Sequence, residues 1–177
     1  MTGGAEITGP GTVRLERVLP GTPERVWEYL TDPELRVTWF AGGVLDARVG
    51  GVTDFRYDHA RISAEPVPEE FRDHRETGVV TAYEPPRLLA FTFGDGVVEF
   101  RLDRVAGGTR LVLTHTRLDL PGDFAPAGAG WHAHLDVLAA RVSGQAPPPF
   151  WALHERLERE YAAALDPTVG PAPGARP

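Results

Sequence analysis

The chain has 177 residues, and its 18 Lys and Arg residues against 25 Asp and Glu residues give a net charge of −7. Its length allows one domain with a sizeable core, and its negative charge disfavours a nucleic acid partner. The absence of cysteine excludes disulfide bonds, thiolate catalysis and cysteine-ligated zinc. Since the sequence contains neither a basic leader with an apolar segment nor a long uncharged apolar run, we expect a cytoplasmic protein with no membrane partner.

The beginning of the chain predicts a flexible arm, a strand and two short helices. Residues 1–11 are rich in glycine and lack periodicity, which is typical of a loose terminal arm. Apolar and polar residues then alternate over 13–19, as in a half-buried strand. Thr22 and Asp32 are each followed by a proline and a glutamate, so each can cap a helix whose first residue is that proline. We expect the second of these helices to end near Trp39.

The middle of the chain predicts a series of short strands separated by breaks that contain glycine or proline. The expected strands cover 45–49, 52–57, 77–83, 88–93, 97–105 and 109–117. Because parallel strands need long crossover connections, the short breaks favour a curved antiparallel sheet. Residues 62–71 contain two prolines and several acidic residues, and they predict a loop between two of the strands.

The end of the chain predicts a long helix, a break and a second helix. Apolar residues recur at every third or fourth position over 131–142, which makes one apolar stripe on a helix. A similar stripe continues over 150–165, and three successive prolines before it must break the helix. Residues 121–130 predict an irregular approach to the first helix, and the proline-rich tail, 166–177, predicts disorder.

Several short strings, taken in their order and spacing over residues 13–142, match a known family. They are Val13-Arg14-Leu15-Glu16-Arg17, Pro23-Glu24-Arg25-Val26-Trp27, Thr31-Asp32-Pro33-Glu34-Leu35, Trp39-Phe40, Gly50-Gly51, Pro85-Pro86-Arg87-Leu88, Gly108 to His115, and Gly130-Trp131. By these strings the chain resembles the activator-of-Hsp90-ATPase-like branch of the START-like, or SRPBCC, superfamily. The resemblance implies a single START-like domain over 12–165. The chain departs from the family's common core in the second helix, 150–165, which is an added C-terminal helix.

The resemblance also implies the fold class and several kinds of function. The fold is α+β and of the helix-grip type, START-like or Bet v 1-like. In it a curved antiparallel sheet of six to seven strands wraps around a long C-terminal helix, two short helices follow the first strand, and a cavity lies between sheet and helix. Members of the superfamily bind lipids, sterols, aromatic polyketides or plant hormones, and a few catalyse cyclisation or dehydration. Others are co-chaperones, so function has to be argued from the cavity residues.

Strand alternation and helix periodicity nominate the wall of this cavity, which is apolar and aromatic with a few polar groups, as in small-molecule sites. The candidate ligand-binding residues are Trp39, Phe55, Tyr57, His59, Phe91, Phe93, Phe100, Leu113, His115, Trp131, His134 and Leu138. The competing interpretation is that these residues simply fill a core, and that His115 bonds a backbone group at the rim. At 100° per residue, His134 lies about 60° from the centre of the helical stripe, at its edge, whereas His132 lies about 120° away and is expected to be solvated.

The sequence does not predict a metal, a cofactor or a catalytic residue. His132 and His134 are two positions apart, so on a helix they point to different sides rather than to a common ion. There is no His-Glu-x-x-His motif, no nucleophile elbow and no phosphate-binding loop.

Three functional hypotheses remain open. The first is non-enzymatic binding of a small hydrophobic molecule, with Tyr57, His59, His115 and His134 as polar anchors. The second is an enzyme of the polyketide cyclase or dehydratase type that uses His115 or Tyr57 as general acid or base, which requires two polar groups within hydrogen-bond reach in the cavity. The third is a co-chaperone-like interaction module with an exposed apolar patch near Trp151. A homodimer or another protein partner also stays open.

Overall fold

The computed structural model describes residues 6–9, 11–118 and 124–165. In this part of the chain, eight strands form one antiparallel sheet in the order β1-β2-β8-β7-β6-β5-β4-β3. The strands are β1 (Glu6–Gly9), β2 (Thr12–Leu19), β3 (Gly42–Leu45), β4 (Val52–Arg56), β5 (Arg75–Glu84), β6 (Leu88–Phe93), β7 (Gly96–Val105) and β8 (Gly108–Thr116).

Two long helices follow the sheet, and shorter helices lie in its connections. The helices are α1 (Pro23–Thr31), α2 (Pro33–Arg36), α3 (His59–Ile62), α4 (Phe124–Val142) and α5 (Phe150–Leu165), with a single 3-10 turn at Glu69–Phe71. None of the described helices is long and apolar enough to cross a membrane. The predicted α+β helix-grip class, a curved antiparallel sheet around a long C-terminal helix, is confirmed.

The two short helices begin where the sequence predicts. The Thr22 hydroxyl accepts a hydrogen bond from the amide of Arg25 at 3.3 Å. A carboxylate oxygen of Asp32 accepts from the amides of Glu34 at 2.8 Å and Leu35 at 3.3 Å. These bonds satisfy amide groups that the first turn of a helix leaves without a partner. They explain why each helix begins directly after its capping residue.

Two segments differ from the sequence-based expectation, and a third lies outside the described residues. Glu6–Gly9, within the expected arm, pairs with β2 as an edge strand, and the tail 166–177 lies outside the described residues. The first strand of the predicted hairpin is Gly42–Leu45 rather than 45–49. The reason is Gly43, which has a φ of +84° and leaves only 2.1 Å between a hypothetical Cβ and the Asp54 carbonyl oxygen, so that glycine alone permits this close pairing.

Helix α4 begins seven residues earlier than predicted, at Phe124 instead of at 131. The expected irregular approach is therefore helical from this residue onward. Pro126 is the third helical residue, where the backbone amide has no intrahelical partner, so proline does not disrupt the helix there. The early start places Pro126 and Ala127 in helical turns that line a cavity.

A buried ion pair ties α4 to the sheet. Arg17 occupies an inward-facing position of β2, where its neighbours in the alternation are the buried residues Leu15 and Leu19, and it is only 3% exposed. Its guanidinium donates to a carboxylate oxygen of Asp136 on α4, with nitrogen–oxygen distances of 3.0 and 3.2 Å. The pair fixes the position of α4 over the sheet because a buried charge tolerates little displacement from its partner.

Arg36, also buried, organises the segment between α2 and β3. Its guanidinium donates to the carbonyls of Ala41 at 3.0 Å, Thr31 at 3.1 Å and Gly43 at 2.6 Å, and it stacks on the Phe55 ring. Burial, partly offset by the charge of Asp32, lowers the pKa of Arg36 to about 10, so it stays charged at neutral pH. The bonds hold in place the turn that carries the aromatic residues at 39 and 40.

We predict that Asp136→Asn lowers the free energy of unfolding by about 3 kcal/mol, because the substitution deprives a buried guanidinium of this carboxylate. The matched control is Asp103→Asn, which removes the carboxylate from an exposed pair with Arg110 and should cost less than about 1 kcal/mol. Denaturant titration of the three proteins measures both values. Equal losses in the two variants would contradict a structural role for the Arg17–Asp136 pair.

Candidate ligand-binding site

A partly open cavity of about 260 Å³ lies where one end of the sheet meets α4 and α5. The sheet contributes four residues at or next to strand ends: Tyr57 directly follows β4, His74 directly precedes β5, and Phe93 and His115 lie at the ends of β6 and β8. Fifteen residues line it: Tyr57, His59, Phe71, His74, Phe93, His115, Pro126, Ala127, Gly130, Trp131, His134, Phe150, Trp151, His154 and Glu158. The lining is mainly aromatic and includes five of the six histidines of the chain.

The structure brings half of the predicted ligand-binding residues together at this cavity. The six that line it are Tyr57, His59, Phe93, His115, Trp131 and His134. The six that instead fill the buried core are Trp39, Phe55, Phe91, Phe100, Leu113 and Leu138. Alternation places a side chain on the inner face of the sheet, but it does not reveal which part of that face other side chains cover. The open space is therefore at one end of the sheet and not along its whole inner face.

The remaining lining residues come from segments to which the sequence assigned no ligand-binding residue, although α5 was a candidate for an interaction patch near Trp151. Phe71 and His74 lie in the connection between α3 and β5, and Ala127 lies in the early turns of α4. Phe150 and Trp151 begin α5, and His154 and Glu158 follow on the same side of that helix. The signal that could have found the α5 residues is its own apolar stripe, which begins with Phe150.

Two polar side chains of the α3–β5 connection hold the start of α5 at the cavity. The Glu65 carboxylate accepts from the backbone amides of Trp151 at 2.8 Å and Ala152 at 3.2 Å. The Ser63 hydroxyl donates to the same carboxylate at 3.0 Å and accepts from the amide of Phe150 at 3.3 Å. These are the amides that the first turn of a helix leaves without a partner, so Glu65 and Ser63 cap α5 from a distant part of the chain.

Aromatic rings pack around the cavity in two groups. Phe40 lies at the centre of the inner group, where it stacks on Trp131 with 5.2 Å between ring centroids and meets the Tyr57 ring edge-on at 5.3 Å. In the outer group, the Trp151 ring lies 4.8 Å from Phe71 and 4.9 Å from His59. Such rings present flat apolar faces with a slightly negative charge, which suits planar or ring-bearing ligands.

His134 is buried, at 7% exposure, at the junction of α4 and the α2–β3 segment. Its Nδ1 lies 2.7 Å from the main-chain carbonyl oxygen of Trp39. Burial lowers the pKa of His134 to about 3, against a smaller opposing effect of this hydrogen bond. The ring is therefore neutral at physiological pH.

His115 is engaged on the Nδ1 side by a neighbour in the wall. The indole N–H of Trp131 donates to this atom at 3.1 Å, and the bond is buried. Burial lowers the pKa of His115, although the nearby Phe93 backbone acts in the opposite direction. The His115 ring is therefore held in the wall by the indole of Trp131.

Three polar atoms of the wall are buried without a hydrogen-bond partner among the described residues: both ring nitrogens of His59 and Nε1 of Trp151. Burial, reinforced by the neighbouring His74, lowers the pKa of His59, while the charge of Asp58 and the backbone of Phe71 raise it in part. Burial also raises the pKa of Tyr57, so its hydroxyl is protonated. Unpaired buried polar groups are uncommon in folded proteins and often mark functional positions.

The charge of the site is low. Among the described lining residues there is no arginine, and Glu158, near the mouth, is the only carboxylate. His154 Nδ1 lies 3.8 Å from a Glu158 oxygen, beyond ordinary hydrogen-bond length, and burial lowers the pKa of His154. No group of three or more potential ligands in the described part of the chain is arranged to hold a metal ion. The arrangement is thus suited to an uncharged molecule that makes hydrogen bonds.

His132, which the sequence placed in solvent, is covered by α5. Its Nδ1 lies 2.7 Å from the Tyr161 hydroxyl, and its Nε2 lies 3.5 Å from an Asp136 oxygen. The added helix therefore explains why the expectation for His132 was wrong. The residue does not line the cavity.

The family profile described as "Activator of Hsp90 ATPase homolog 1-like protein" matches residues 20–143. The chain belongs to this family. The match covers most of α1 to α4 and the intervening strands, and it confirms the resemblance seen in the sequence. No functionally curated protein matches the chain significantly.

Solved structures share the fold. A Bordetella parapertussis protein, studied by solution NMR, is 39% identical over 91% of this chain and 90% of its own, with a TM-score of 0.77. CalU16 from Micromonospora echinospora is 23% identical over 92% of this chain and 95% of its own, with a TM-score of 0.64. A conserved Enterococcus faecalis protein of unknown function is 22% identical over 92% of this chain and 91% of its own, with a TM-score of 0.65. Family and fold are those of a ligand-binding or interaction module.

We predict that acid destabilises the protein partly through His134. Its folded pKa is about 3 against an ordinary value of 6.5, so below pH 6.5 the unfolded chain takes up a proton that the folded protein does not. Above pH 6.5 the titration of His134 does not lower the free energy of unfolding. As the pH falls from 6.5 toward 3, it lowers this free energy progressively. His134→Asn removes this titration, and its free energy of unfolding should therefore fall less steeply, by about 1 kcal/mol per pH unit between pH 6 and 4. Parallel pH profiles of denaturant unfolding for the two proteins would contradict the prediction.

Proposed function

We propose that the protein binds a small, uncharged hydrophobic molecule with one or two aromatic rings in this cavity, and that it does not catalyse a reaction on it. The observation that carries the proposal is the composition of the lining, in which aromatic rings and histidines surround the space, and the pKa of four of these histidines is lowered. Ligand pockets are typically concave, mostly apolar and supplied with a few polar groups. At about 260 Å³ the cavity is close to the lower end of the usual range of roughly 300–1,000 Å³, which suits a ligand of one or two rings.

The electrostatics of the wall support an uncharged ligand. A carboxylate or phosphate would enter a low-dielectric space in which no described lining residue is an arginine, and where Glu158 repels it at the mouth. Burying an unpaired charge is costly, whereas an apolar ring gains free energy from the area that it removes from water. The lowered pKa values of His59, His115, His134 and His154 keep these rings from supplying a compensating positive charge.

Of the two alternative functions, neither has a specific observation in its favour. A cyclase or dehydratase needs two cavity side chains in hydrogen-bond reach. Among the described lining residues, the indole of Trp131 and His115 meet this requirement, but that bond fixes both groups in the wall. An interaction module needs an exposed patch near Trp151, yet the half-buried Trp151 ring packs against Phe71 and His59.

We predict saturable binding of 2-methoxynaphthalene, an uncharged two-ring probe, to the purified protein. Ala127→Phe should weaken this binding at least tenfold, because Ala127 is half-buried in the cavity wall and a phenyl ring there takes up the ligand's space. The matched control is Ala162→Phe, which adds the same ring to an exposed position of α5 and should leave binding unchanged. Quenching of tryptophan fluorescence or native mass spectrometry measures the dissociation constants.

Two results would contradict the proposal. One is a wild-type protein that shows no saturable binding of any uncharged aromatic probe. The other is equal binding by Ala127→Phe and the wild type in variants that remain folded by circular dichroism, since the probe would then lie elsewhere.

A further inference from the structure

The hydrogen bond between His134 and Trp39 determines which nitrogen of the ring carries the proton. A main-chain carbonyl oxygen can only accept, so the 2.7 Å contact requires Nδ1 of His134 to be the donor. In a neutral imidazole one nitrogen donates and the other accepts. Nε2 of His134 therefore carries a lone pair and can only accept a hydrogen bond.

This acceptor belongs to a buried residue of the cavity wall. His134 is 7% exposed and lines the cavity, and its only hydrogen bond to a described residue uses Nδ1. The bond to Trp39 uses one ring nitrogen, and this single bond is enough to hold the α2–β3 segment. The second nitrogen has no hydrogen-bond partner among the described residues, so it is available as an acceptor to a molecule in the cavity.

We propose that the ligand carries a hydrogen-bond donor on an aromatic ring, a hydroxyl or N–H group, and that it donates to Nε2 of His134. The inference rests on the proposed function, because it concerns the same cavity and specifies the class of ligand. An oxygen-bearing aromatic without a donor, such as an ether, would leave the acceptor unpaired. An aromatic carboxylate would place a further acceptor against it.

Tyr57 supports the same ligand class. Its ring lies 6.3 Å from that of His134 between centroids, and both residues line the cavity. The Tyr57 hydroxyl can both donate and accept a hydrogen bond. A ligand hydroxyl has the same two capacities, so it can donate to the histidine while it accepts from a donor in the wall.

The test compares three probes that share one ring system. These are 2-naphthol, which carries a donor, 2-methoxynaphthalene, which does not, and 2-naphthoate, which is negatively charged. We expect the wild-type protein to bind 2-naphthol about tenfold more tightly than 2-methoxynaphthalene, and 2-naphthoate most weakly, as the gain of one hydrogen bond and the burial of a charge require. Equal dissociation constants for 2-naphthol and 2-methoxynaphthalene would overturn the inference, while the proposed function would stand because both probes bind.

Two variants assign the preference to His134. In His134→Asn the side-chain amide nitrogen takes the place of Nδ1 and can still donate to the Trp39 carbonyl, but the acceptor at Nε2 is lost. We expect the ratio of the two dissociation constants to fall to about one. His132→Asn makes the same substitution on the same helix outside the cavity and should keep the wild-type ratio. A tenfold preference that survives in His134→Asn would overturn the inference, and the wild-type comparison decides it even if this variant does not fold.

Discussion

The hydrogen bond from Nδ1 of His134 to the Trp39 carbonyl connects the architecture of this protein to the chemistry of its cavity. It joins α4 to the segment that Arg36 organises, and so places Phe40 and Trp131 in contact. The same bond sets the tautomer of a buried ring, which makes the cavity side of His134 an acceptor. Both consequences depend on α4 lying at a fixed position over the sheet, and the Arg17–Asp136 pair provides this constraint.

The added helix α5 forms one side of the cavity. The family match ends at residue 143, whereas Phe150, Trp151, His154 and Glu158 lie beyond it and form one side of the cavity. Glu65 and Ser63 hold the first turn of α5 there through the amides that a helix leaves unpaired. The residues that the family model matches therefore do not specify this wall, because part of it comes from a segment beyond residue 143.

The sequence predicted the fold class, the caps of α1 and α2, and the inward faces of the strands, because each depends on local periodicity or on a capping residue. It predicted His134 at the edge of the buried stripe for the same reason. Phe55 and Leu113 fill the core, whereas Tyr57 and Phe93 border open space. The sequence could not separate these two pairs, because all four residues occupy inward-facing positions in the alternation. It did not predict that Phe71 and Trp151 line the cavity, because their positions depend on how distant segments pack.

The indole resonances of the four tryptophans test the central claim, that an uncharged aromatic molecule occupies this cavity. Trp131 and Trp151 line it, whereas Trp27 packs against Tyr83 in another part of the core. In protein labelled with ¹⁵N at the indole nitrogen, titration with 2-methoxynaphthalene should shift the Trp131 and Trp151 signals along one saturation curve and leave Trp27 unchanged. Saturable binding that shifts Trp27 while Trp131 and Trp151 stay unchanged would contradict the account.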